Sequence, residues 1–167
     1  MKKFLTVQCL LLTVLLSSSF GNTQKKAPPD LSGTWILDPA KSNLGSEITD
    51  YVLTIAHNEP EIRFSKKFQR GKRETSEETV YYTDGRPQFG DGQTPNGPLP
   101  EIRWRGQKLV RRTVTRPRGS FELEFVNYEE WSLSSDKQTL TRKMTTSGPG
   151  LRAGVFIESR AVFTRRP

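Results

Sequence analysis

Apolar and polar residues alternate one by one along much of this chain, and that rhythm restricts its fold more than any other feature. In EIRWRG, Ile102 and Trp104 alternate with Arg103 and Arg105; in SFELEFV, Phe121, Leu123 and Phe125 alternate with Glu122 and Glu124. In TLTRKMT, Leu140 and Met144 share one side with Arg142, a less clean pattern. Successive side chains on a strand point to opposite faces, so such segments bury one face and wet the other. The alternation predicts strands over 32–38, 50–57, 61–69, 73–83, 101–105, 108–116, 120–132, 138–146 and 154–165. Tight reversals separate most of them: Asn58-Glu59-Pro60, Asp84-Gly85, Gly106-Gln107, the 116–119 stretch RPRG and the 134–137 stretch SSDK. No window has the three-and-four spacing of an amphipathic helix; only residues 42–49 suit a single helical turn.

Short consecutive strands with tight turns favour a meander, and curling a meander into a barrel removes its sticky edges. The expected fold is therefore all-β, a single antiparallel meander barrel of about eight to ten strands. An open β-sandwich is the alternative. Residues 87–100, PQFGDGQTPNGPLP, are half proline and glycine and cannot be a strand interior; they read as a long connection or a lid.

The N-terminus has a different composition. Lys2 and Lys3 precede an apolar run over residues 4–16, and small residues including Ser19 and Gly21 follow. That order predicts a secretory signal peptide over 1–21, since the run is shorter than the roughly 20 residues of a spanning helix. A flexible leader, 22–30, and one β-barrel domain, 31–167, complete the expected organisation. The product is expected to be periplasmic or extracellular. Its only cysteine, Cys9, would leave with the signal, so packing rather than disulfides must hold the fold.

The remaining chemistry is sparse. The single histidine, His57, has no Gly-x-Ser-x-Gly elbow to serve, and one histidine without cysteines does not make a zinc set. Neither the 74–78 nor the 129–130 acidic run has calcium-loop spacing. No GxGxxG cradle is present. The reading is of a non-enzymatic chain with no catalytic residue, metal or cofactor. Net charge is +8, spread along the sequence, with a concentration in IRWRGQKLVRRTVTRPR. Arg103, Arg105, Arg111 and Arg112 are candidates for a basic face that meets an anionic envelope surface. Nucleic acid is not the expected partner, because Trp104 alternates against those arginines and would turn away from bases that they held by phosphate.

Gly33-Thr34-Trp35, in LSGTWILDPAKS, resembles the Gly-x-Trp opening of lipocalin-like (calycin) barrels. The whole 31–165 stretch is similar to small exported bacterial proteins that open with SGTWxLDxxKS. In calycins the tryptophan closes the barrel base beneath an arginine of the last strand. The resemblance assigns those parts to Gly33, Trp35 and Arg160, with Arg165 as the second choice. The order of the later elements also resembles intracellular fatty-acid-binding barrels. Their Arg-x-Tyr carboxylate clamp is missing, because the last strand reads Arg160-Ala161-Val162. The implied function is binding of a small apolar or amphipathic ligand inside the barrel, lined by Phe64, Tyr82, Trp104, Phe121 and Phe125. The alternative is an envelope-associated interaction protein with a filled core and a basic face for polyanions.

Overall fold

The computed structural model describes residues 26–44, 48–86, 100–115, 124–148 and 157–167. Phe121, the 1–21 segment and residues 87–99 lie outside the described residues.

Nine strands form one antiparallel sheet: β1 (Gly33–Leu37), β2 (Ile48–Asn58), β3 (Glu61–Arg70), β4 (Arg73–Tyr82), β5 (Glu101–Arg105), β6 (Lys108–Thr115), β7 (Phe125–Leu133), β8 (Thr139–Ser147) and β9 (Ile157–Arg165). The spatial order is β4-β3-β2-β1-β9-β8-β7-β6-β5. All but one of the neighbours are consecutive in sequence; the exception is β1 with β9, where Trp35 faces Arg165 and Leu37 faces Phe163. The meander therefore curls until its first and last strands meet. Its seam lies elsewhere, between β4 and β5, where no ladder forms among the described residues. Eight antiparallel steps separate β4 from β5, so these two edge strands run in the same direction.

Trp35 anchors one end, here called the base. Its side chain is fully buried, and its indole N–H donates to the Leu31 carbonyl at 3.1 Å. A guanidinium lies 4.2 Å from its ring, where a cation meets the negative π face. That guanidinium belongs to Arg165, not to Arg160, which is exposed further along the strand and whose backbone N–H donates to Asn43 Oδ1. Two backbone carbonyls fix Arg165: Nη1 donates to Ser32 at 2.8 Å and Nε to Lys137 at 2.9 Å. Gly33 is required here. Its φ is +137°, and a Cβ would come within 2.6 Å of Arg165 Nη1. Neither the backbone nor the guanidinium leaves room for a side chain.

Inside, the lower half is filled. Leu31, Trp35, Leu53, Ile55, Ile62, Leu109, Leu140 and Phe163 are among the buried residues of one continuous core. A bulge in β2 at Asp50, whose φ is +50°, shifts the β2–β3 register and turns Ile48 instead of Thr49 toward the core, while the Tyr51 ring stays in the inward row of Leu53 and Ile55. There it meets Phe68 and Phe163, each with ring centroids 5.2 Å away. A single 3-10 turn, Pro39–Lys41, capped by Asp38, follows β1. Among the described residues no helix is long and apolar enough to cross a membrane.

Candidate functional site: a charged layer inside the barrel

A strand that lines a filled barrel should present only apolar residues inward. Four strands here break that rule at one level. On β3, Lys66 lies in the same alternate row as Phe64 and Phe68, opposite the buried Leu53 of β2. Arg111 follows Leu109 in the inner row of β6. Glu129 precedes Trp131 on β7 and is the one buried charged residue in the described core. Arg142 lies between Leu140 and Met144 on β8, opposite Trp131.

These side chains converge on Glu129. One carboxylate oxygen accepts from Arg142 Nε at 2.7 Å and from the Trp131 indole at 3.0 Å; the other accepts from Arg111 Nη1 at 3.2 Å. Beneath the charges lies an aromatic layer. Phe64 touches Tyr81 (5.0 Å) and Trp131 (5.1 Å), and Trp131 stacks on Phe163 at 6.2 Å. Arg111 lies 5.4 Å from the Tyr81 ring and Arg142 5.7 Å from the Trp131 ring. Each guanidinium thus has a carboxylate at its edge and a π face below it.

The electrostatics follow from this packing. Burial alone would raise the Glu129 pKa, but Arg142, Arg111 and Lys66 more than offset it and hold the carboxyl below its usual range. Burial works against the Arg142 charge, but Glu129, Tyr51 and Tyr81 together outweigh it and raise its pKa, so the pair is ionised on both sides. Burial pushes Tyr51 up to about 12 and Tyr81 higher still, which keeps both phenols neutral. Lys66 is lowered, first by burial and then by Arg142 and Arg111; Glu129 and Glu77 oppose the shift. Three cationic side chains therefore surround one fully buried carboxylate. Two buried polar atoms beside it, Arg111 Nε and Thr113 Oγ1, have no hydrogen-bond partner among the described residues.

Towards the opposite end of the barrel, the mouth, the inner rows are mixed. Thr113, Asn127, Thr146 and Ser159 supply hydroxyl and amide groups, with Thr146 bonded to Asn127 at 2.7 Å. Phe68, Phe125, Met144 and Ile157 supply apolar surface in the same rows, and Ile157 remains 59% exposed.

The sequence-based candidates fall in several places. Phe64 is in the aromatic layer and fully buried. Phe125 is half-buried near the mouth, its ring against Gly148. Tyr82 lies on the opposite face of β4 from the inward Tyr81 and carries Arg86 4.5 Å from its ring. Trp104 is half-buried and sits at the base, away from the charged layer. It stacks on His57 at 5.8 Å and donates to Glu59 at 2.6 Å. His57 is structural there: its Nδ1 accepts the Leu31 N–H at 3.2 Å, which places its proton on Nε2, 2.8 Å from Glu59. Of the expected basic face, Arg103 and Arg105 are exposed on the outer side, and Arg112 meets Glu101 at 3.9 Å. Arg111 is not part of that face, because the alternation turns it inward to Glu129.

Lys66, Glu129, Arg142, Tyr51 and Tyr81 were not among the sequence candidates. The signal for three of them was present: a charge standing in an apolar alternate row in Phe64-x-Lys66-x-Phe68, Glu129-x-Trp131 and Leu140-x-Arg142-x-Met144. No protein-family model matches this chain, and no curated protein matches it significantly.

Proposed function

We propose that this protein is an exported, non-enzymatic, calycin-like binding protein that takes a small amphipathic anion into its barrel. The acidic head would rest on the Arg111–Arg142 layer and the apolar tail would extend mouthward along Phe68, Met144 and Phe125. The observation that carries this reading is the excess of buried positive charge around Glu129. A lone carboxylate is a sufficient partner for one guanidinium, yet two guanidiniums share it, and Arg111 Nε has no hydrogen-bond partner among the described residues. A buried donor without a partner costs about 1–3 kcal/mol, and an incoming carboxylate removes that cost.

The outer face offers less. Lys108 meets Glu130, Arg112 meets Glu101 and Lys143 meets Glu158, so much of the basic character read from the sequence is compensated on the sheet.

A displacement titration tests the proposal. An environment-sensitive anionic naphthalene probe at 0.5 M salt (about a 4–5 Å screening length, which suppresses surface adsorption) should bind and be displaced by dodecanoate. Dodecyltrimethylammonium should displace it far less. Arg111→Gln should weaken dodecanoate about tenfold or more, the scale of one lost charge-assisted hydrogen bond. Equal displacement by the cationic and anionic amphiphiles, or no probe binding at all, would rule the reading out.

A further inference from the structure

Lys66 and Lys67 are neighbours on β3 with opposite environments. Lys67 points outward, is 63% exposed and pairs with Glu74 at 3.1 Å. The Lys66 side chain is only 14% exposed, and its nearest carboxylate oxygen among the described residues, on Glu77, is 4.0 Å away. It lies in the inner row between Phe64 and Phe68, opposite Leu53. The charged groups that face it come from β4 (Glu77), β6 (Arg111), β7 (Glu129) and β8 (Arg142). On the β4 side the interior meets solvent, since Glu77 in the same cross-strand row is half exposed.

We propose that Lys66 is a nucleophilic amine that captures an amphipathic aldehyde as an imine inside the barrel. The proposal rests on the amphiphile-binding reading above and adds covalent chemistry at a residue that reading does not use. The Nζ lone pair attacks the aldehyde carbon to give a carbinolamine. Loss of water then leaves the C=N bond: both amine hydrogens and the carbonyl oxygen depart as water, and no oxidant or reductant is consumed. Two features favour the step. A lysine that is desolvated and set beside other cations holds a larger neutral fraction at a given pH, and only the neutral amine attacks. Its lowered pKa agrees with that placement. Glu129 and Glu77 then supply negative charge near the protonated imine, while the aromatic layer and Phe68 receive the alkyl chain. Lys67 has the same chemical group without any of these features, so it is the internal control.

The full exported chain, at pH 7.5, is incubated with decanal and sodium cyanoborohydride, which reduces the imine to a stable secondary amine. Tandem mass spectrometry then locates the added alkyl groups. The expected result is initial labelling of Lys66 about tenfold faster than of Lys67, suppressed by excess dodecanoate. Lys66→Met should abolish the fast phase but keep reversible binding of the naphthalene probe; near-UV circular dichroism checks its fold. Labelling that favours Lys67, or that dodecanoate does not slow, in a protein that still binds the probe overturns the covalent role alone. A protein that binds neither probe nor decanal overturns the interior-binding reading with it.

Discussion

Glu129 is the residue on which the interior depends. Its carboxylate is fully buried and answers two guanidiniums and an indole. Removing one member of a buried ion pair leaves the others uncompensated, which costs about 3–5 kcal/mol. Glu129→Ala should therefore lower unfolding free energy by about that amount, measured by urea titration. The pH dependence has a definite sign. The folded-state pKa of Glu129 is depressed from its ordinary 4.5, because the surrounding cations outweigh burial. The unfolded chain therefore takes up this proton first as pH falls. The contribution is complete above about 4.5 and is lost as pH drops through the folded value. Glu129→Gln removes this titration, so its stability profile should be flatter than the natural chain's on the acid limb. An acid limb of unchanged slope would show that the carboxylate is not held ionised by its neighbours.

Strands were the legible level of this sequence, and side-chain facing was only partly so. Expected β3, β5 and β6, at 61–69, 101–105 and 108–116, lie within one residue of the strands found at Glu61–Arg70, Glu101–Arg105 and Lys108–Thr115. The failure on β4 is instructive. RETSEETVYY has no alternating pattern, and two adjacent tyrosines leave its parity undecided. The β3 register decides it, by placing Tyr81 opposite the buried Ile62 and Tyr82 opposite Glu61. Such a register comes from tertiary pairing and is not written in β4 itself. The same holds for Arg160 and Arg165: both are last-strand arginines, and only the pairing of Trp35 with Arg165 selects between them. Adjacent alanine substitutions test the parity of β4. Tyr81→Ala, which removes a buried ring from between Phe64 and Arg111, should cost about 3–5 kcal/mol. Tyr82→Ala should cost about 1 kcal/mol, the scale of a partly exposed contact. Equal losses in urea titrations of the two variants would contradict the assigned facing.

At the scale of the molecule, the chain order and the spatial order differ by a rotation. Read from β5 through β9 to β1 and on to β4, every strand pairs with the next one in line. The natural chain enters this sheet in the middle, so the β1–β9 pairing closes a loop of more than a hundred residues: Trp35 faces Arg165. Closing so long a loop has an entropy cost before its contacts form, and non-local pairing slows folding. The two ends of that pairing lie side by side, with the Arg166 N–H donating to the Thr34 carbonyl at 2.8 Å. A permutant that starts at Pro100, bridges Arg166 to Leu31 with a short Gly/Ser linker and stops at Arg86 keeps every described strand ladder and the buried Pro100. It also converts the one long-range pairing into a local one. Its equilibrium stability should stay within about 1–2 kcal/mol of the parent, because no described core contact or charged-layer bond is cut. Its folding rate should rise, by the correlation of rate with local contacts. Stopped-flow refolding compares the two chains. A permutant that fails to fold would mean that β4 and β5 need their natural connection, and that the seam between them is a structural joint and not an opening.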